Sequence, residues 1–132
     1  MTNQLGQRDS VALGNIRETC AFAPASVGNV AVGFDVLGHA LQGVGDTVTN
    51  RQVEEPGVRL AGVSGVLPDL PEDVERNTAL KAVAAMVDAL ALNSGFEVHV
   101  DKGIPLGSGL GGSAASAAAA VVAVNKMLKI PL

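Results

Sequence analysis

Between Lys102 and Lys126 the chain reads GIPLGSGLGGSAASAAAAVVAVN, with glycine at 103, 107, 109, 111 and 112 giving way to alanine and valine. Two opposite backbone tendencies meet there. Glycine enters positive φ without steric cost and loses the most freedom on folding, whereas alanine is the strongest helix former. A sharply bending loop therefore runs straight into a helix, predicted from about Ser113 to Lys129. The first N–H groups of such a helix lack intrahelical acceptors, and the positive end of its dipole faces the loop. An anion fits there, phosphate above all. A tight strand-to-helix connection is the competing reading. Against it stand the alternating strand pattern of FEVHV (96–100), more glycine than a turn requires, and the hydroxyls of Ser108, Ser113 and Ser116.

Three other glycine loops fit parts of this stretch and fail on their chemistry. Gly107, Gly109 and Gly112 satisfy G-x-G-x-x-G, but the last acidic residue of the chain is Asp101, and the dinucleotide fingerprint needs one roughly 20 positions downstream. Gly107 and Gly112 have the spacing of G-x-x-x-x-G-K-[ST], yet Ser113 stands where the lysine belongs. A protein-kinase glycine hairpin leads into a lysine-bearing strand, and here an alanine-rich helix follows.

The length of 132 residues suits one domain with its own core. Although 48% of the residues are hydrophobic, there are three phenylalanines and no Trp or Tyr, so the core must be built from small side chains. A net charge of −4 without a Lys/Arg cluster argues against a nucleic-acid partner. The single cysteine, Cys20, excludes an intrachain disulfide or a cysteine zinc cluster and reads as a small buried hydrophobe. MTNQLGQRDS lacks the pattern of a signal peptide, and the apolar run from Ala114 to Val124 is too short to span a bilayer. A cytoplasmic protein without membrane partners is expected. His39 and His99 read as structural, with no second ligand at zinc spacing.

Along the chain, residues 1–15 read as a frayed polar tail and 16–132 as one domain. RETCAFA (17–23) reads as a strand. DTVTNRQV (46–53) and GVRLAGV (57–63) alternate around Glu55, Pro56 and Gly57, which predicts a hairpin. Apolar residues at 80, 83, 84, 87, 90 and 91 form a helical stripe over Thr78–Leu92, with Asn77 as its N-cap and Gly95 beyond its end. The order of elements predicts an α+β fold, a mixed β-sheet covered by helices on one face.

A second unusual stretch is FAPASVGNVAVGFDVLGHAL (22–41), where Ser26, Asn29 and Asp35 interrupt an apolar, glycine-punctuated segment. The Asp35 carboxylate is either satisfied by loop amides or aimed at a ligand cation.

Taken together, PLGSGLGGSAA (105–115) resembles the phosphate-binding motif P-x-x-x-G-L-G-S-S-A-A of the GHMP kinases. PASVGNVAVGFDVLGHAL is similar to the amino-terminal motif of the homoserine kinases in that family. The resemblance implies the ribosomal-protein-like amino-terminal fold of these kinases and an ATP-dependent phosphorylation of L-homoserine in threonine biosynthesis, with Mg²⁺ as cofactor. It implies that Pro105, Leu106, Gly107, Ser108, Gly109, Leu110, Gly111, Gly112, Ser113, Ala114 and Ala115 wrap the ATP phosphates. Asn77 and Lys102 take weaker nucleotide contacts, Ser113 meets the metal, and Asn29 and Asp35 hold homoserine, Asp35 at its ammonium group. No catalytic base is implied, so positioning and charge stabilisation carry the rate.

The sequence departs from the family pattern at two places. Gly112 replaces the first serine of the motif, and Lys126 lies in the region VNKMLKIPL where a magnesium-binding glutamate is common. Family members are also considerably longer, and no arginine follows Arg76 to clamp a substrate carboxylate. The chain is therefore expected to be the amino-terminal part of such an enzyme, inactive alone, with room for a homodimer of the complete protein. A non-catalytic nucleotide-binding fragment, a mevalonate-type kinase, and a structural domain whose glycine loop contacts another chain are the alternatives.

Overall fold

The computed structural model describes residues 11–27, 39–67, 69–105 and 107–132. Strands β1 (Glu18–Val27), β2 (His39–Val53), β3 (Val58–Gly65) and β4 (Gly95–Lys102) form one mixed sheet, with helices α1 (Thr78–Leu90) and α2 (Gly112–Asn125). The α+β reading holds. Period-2 alternation puts Ala21, Ala23 and Ala25 of β1, Val48 and Asn50 of β2, and Phe96, Val98 and Val100 of β4 on one buried face. Helix α2 covers that face with Ala115, Ala119, Ala120 and Ala123. Alanine on both surfaces lets helix and sheet approach closely, which is how a chain poor in aromatics reaches native packing density.

The predicted hairpin is not there. Sheet order is β1-β2-β4-β3: β2 pairs with β4 antiparallel, and β3 pairs with β4 parallel. Strand β4 starts inside the turn itself, with Phe96 N–H donating to Gly57 O at 2.9 Å. Gly95 makes this possible, since a Cβ there would collide with the Glu55 carbonyl. The alternating run of β4 is the most apolar on the buried face and takes the centre, and a parallel neighbour needs the α1 crossover that separates β3 from β4. A turn signal between two strands does not say that they are adjacent.

Other boundaries also differ. Helix α1 stops on Ala91, which is left-handed at φ 50°, while Gly95 opens β4. Helix α2 ends at Asn125 rather than Lys129. Residues 11–15, predicted as frayed tail, are pinned: Gly14 N–H donates to Met127 O and Lys129 N–H to Ala12 O, both at 2.8 Å. Cys20, predicted buried, is exposed on the uncovered face of edge strand β1. Among the described residues, no helix is long and apolar enough to cross a membrane.

Candidate nucleotide-binding site

Helix α2 starts where the glycines end. Its N-cap, Gly111, is left-handed at φ 72° and ψ 30° and has no side chain to cap the first turn. The N–H groups that Ser, Asp or Asn would satisfy elsewhere are thus left free for a ligand. Gly107 and Gly109 are also at positive φ, with open space around their Cα atoms. Glycine is used there for backbone direction rather than for close packing.

Neighbouring elements hold this loop. Ser26 N–H, at the end of β1, donates to Leu110 O at 2.9 Å. Thr78, opening α1, donates its hydroxyl to Ser113 O at 3.1 Å. The N-termini of both helices therefore converge on a cleft of about 660 Å³. One wall is apolar, from Leu67, Leu70 and Pro71 with Ile104, and the other is the loop from Gly107 to Ser113. Arg76 lies at its rim and is exposed.

The residues singled out in the sequence fall into three groups. Pro105, Gly107, Ser108, Gly109, Ser113 and Ala114 are exposed along the loop and first turn; Gly111 and Gly112 are half-buried, Leu110 packs against the core and Ala115 is buried in it. Asn77 and Lys102 line the cleft but are 5% exposed, and their polar atoms already have partners. Asn77 Oδ1 accepts from the N–H groups of Ala79 and Leu80 at 3.1 and 3.3 Å, and its amide donates to Pro71 O at 2.9 Å. The Lys102 ammonium donates to Asp46, to Gly112 O at 3.2 Å and to Ser116 Oγ at 3.0 Å. With three donors and three acceptors it is saturated. Leu106, Asn29 and Asp35 lie outside the described residues.

The hydroxyl of Ser116, read as a phosphate donor, faces the core instead and donates to Asp46 Oδ2 at 2.7 Å. Asp46 is the residue that sequence reasoning missed. It is fully buried, and its carboxylate also accepts from the N–H groups of Gly103 and Ile104 at 2.9 and 3.2 Å. The signal was present in DTVTNRQV, where Asp46 falls in phase with Val48 and Asn50 on the inward face.

Residues 77–132 match the GHMP kinases N terminal domain. The chain is 56% identical over 121 residues to the homoserine kinase of Xanthomonas campestris, an alignment covering 92% of this chain and 38% of that one. A homoserine kinase of Xylella fastidiosa is 57% identical over 112 residues, 85% of this chain and 35% of the relative. The crystal structure of homoserine kinase from Cytophaga hutchinsonii matches with a TM-score of 0.80 at 41% identity, covering 86% of this chain and 36% of that one. The chain thus spans well under half the length of these relatives. With the loop, the cleft and these likenesses in agreement, the chain belongs to the GHMP kinase family, and its sequence falls with the homoserine kinases of that family.

Proposed function

We propose that this chain supplies the phosphate-binding portion of a kinase that transfers the γ-phosphoryl group of ATP to the side-chain hydroxyl of L-homoserine. The observation that carries the reading is the start of α2: a left-handed glycine cap with no capping side chain, opening onto the cleft. The amides of Gly112 to Ala114 and the helix dipole take the charge of the phosphates. The apolar wall of Leu67, Leu70 and Pro71 takes the base by shape and apolar contact. In the transfer, the homoserine oxygen bonds to the γ-phosphorus as the bridging oxygen leaves with ADP. The hydroxyl proton departs to solvent, and the amides stabilise charge already in place. Asn29 and Asp35 are assigned to homoserine, Asp35 to its ammonium group.

Magnesium serves most such transfers, but the donor set fits it poorly. Among the described residues the cleft offers the exposed hydroxyls of Ser108, Ser113 and Thr78, the last already donating to Ser113 O, and the carboxylate of Asp69, whose Oδ1 already accepts from Leu70 N–H at 2.8 Å. No group of three or more His, Cys, Asp or Glu among them could hold a metal. These residues alone do not make a magnesium site, and the loop amides take the phosphates without one.

Two experiments test the reading. In titration of isotope-labelled chain with ADP, amide shifts should concentrate in residues 103–116 and 67–78; none at about millimolar ADP refutes nucleotide binding. For the substrate, the chain is fused to the carboxy-terminal part of the Xanthomonas campestris relative and ADP release is measured. Homoserine-dependent turnover is expected, and turnover with mevalonate in its place refutes the assignment.

A further inference from the structure

The Asp46 carboxylate holds both ends of the glycine loop. On Oδ1 it accepts from Gly103 and Ile104, the corner where β4 leaves the sheet and the loop begins. On Oδ2 it accepts from Ser116, in the second turn of α2, and from Lys102. Lys102 then reaches Gly112 O, the first residue of that helix. The described loop residues 107–111 lie between two points tied to one side chain. Glycines bring those points together: a Cβ on Gly103 would run into the Gly45 carbonyl, and one on Gly112 would come within 3.4 Å of Lys102 Nζ.

Stability alone does not account for such a cluster. Asp46, Lys102 and Ser116 are all at most 5% exposed, and a buried ion pair is commonly matched or bettered by apolar side chains of similar volume. What the pair has and an apolar pair lacks is direction. Four donors converge on two oxygens and fix the loop entry relative to the helix start, which preorganises the loop and lowers the cost of ordering it around a ligand.

We propose that Asp46 is a positioning residue for nucleotide binding, acting through Lys102 and Ser116 on the geometry of the phosphate loop without touching the nucleotide. The inference rests on the nucleotide-binding reading, but one arm of its test does not. Asp46→Asn, Ser116→Ala and the double variant Asp46→Asn/Lys102→Met are compared with the unaltered chain. ADP affinity is read by calorimetry, thermal unfolding by circular dichroism, and amide hydrogen exchange without nucleotide along residues 95–116.

In Asp46→Asn, exchange should rise over 103–114 relative to 96–100, and ADP affinity should fall about tenfold. Removing both charges in the double variant should recover part of the stability lost by the single one but not the affinity. A structural role alone would recover both together. Loop exchange and affinity that stay at the unaltered level while the unfolding temperature drops overturn the proposal, as does affinity that returns with stability in the double variant. If the unaltered chain binds no ADP, the nucleotide reading fails, and with it the role in binding; exchange then decides whether the clamp on the loop exists. If Asp46→Asn does not fold, Ser116→Ala takes its place, with an expected loss of about threefold in affinity and faster exchange at 112–114; no change in either refutes the role.

Discussion

Gly111 links the fold to the site, and replacing it by alanine separates two costs that the structure predicts independently. The first is conformational: at φ 72° an L-residue is left-handed, a penalty of about 1–2 kcal/mol. The second is steric: the new Cβ would lie 2.6 Å from Ser26 Oγ, and swinging that exposed hydroxyl out of its rotamer costs about 0.5–1.5 kcal/mol. Gly111→Ala should therefore destabilise the chain by about 1.5–3.5 kcal/mol, which lowers the unfolding temperature by roughly 3–5 °C per kcal/mol for a domain of this size. Gly109→Ala, at φ 73° with nothing within 4 Å, should show only the conformational part. Adding Ser26→Ala to Gly111→Ala should remove the steric part, since the next nearest atom of Ser26 is 3.9 Å away. Thermal unfolding of the four proteins measures all of this. Equal losses in Gly109→Ala and Gly111→Ala, or no rescue by Ser26→Ala, would show that the loop does not rest on β1 as described.

Asn77→Ala should cost about 1–2 kcal/mol in urea unfolding, while Asn77→Asp, which keeps both cap bonds to Ala79 and Leu80 but loses the donation to Pro71 O, should cost less. Ala91→Gly should raise stability by about 0.5–1 kcal/mol, because the left-handed C-cap of α1 is held by a residue with a Cβ. Chelating magnesium with EDTA should change the ADP affinity of the chain by less than about threefold if backbone amides do the binding; a loss beyond tenfold would mean that the residues here do hold the metal. In the Xanthomonas fusion, Asp35→Asn should lower kcat/KM for homoserine by about 10- to 150-fold, the value of a charge-assisted contact, with ADP affinity unchanged. Unaltered homoserine kinetics would remove Asp35 from the site.

What the sequence made legible was local. The glycine-to-alanine switch located the start of α2 to within one residue, Gly112 against the expected Ser113, because backbone preference decides it. Asn77 was legible as an N-cap for the same reason, a short polar side chain ahead of an apolar stripe. Strand partners were not legible: Glu55, Pro56 and Gly57 turn the chain equally well whether β3 folds back onto β2 or leaves room for β4. Nor was the destination of a hydroxyl. Ser113 and Ser116 are three apart in a glycine- and alanine-rich run, yet one is exposed and the other is 4% exposed against Asp46. That difference depends on a carboxylate 70 residues away in sequence, and no local pattern encodes it.

The same distance explains why the loop can be open and still well placed. Gly107 and Gly109 have space around them, so their segment is free to adjust to a phosphate. Its two ends are not free, because the entry corner is held by Asp46 and the helix start by Lys102 and Thr78. A loop flexible throughout would lose ordering entropy with every ligand it bound, and a loop rigid throughout would need a perfect fit. Confining freedom to the middle keeps the cost of ordering to a few residues while the helix dipole stays aimed at the cleft. This division assigns different phenotypes to the two kinds of residue. Substitutions at Gly107 or Gly109 should alter ADP affinity and cost the fold only the left-handed backbone penalty of about 1–2 kcal/mol, with no packing lost, whereas substitutions at Asp46 or Lys102 should alter affinity by loosening buried contacts, through a site neither side chain needs to touch.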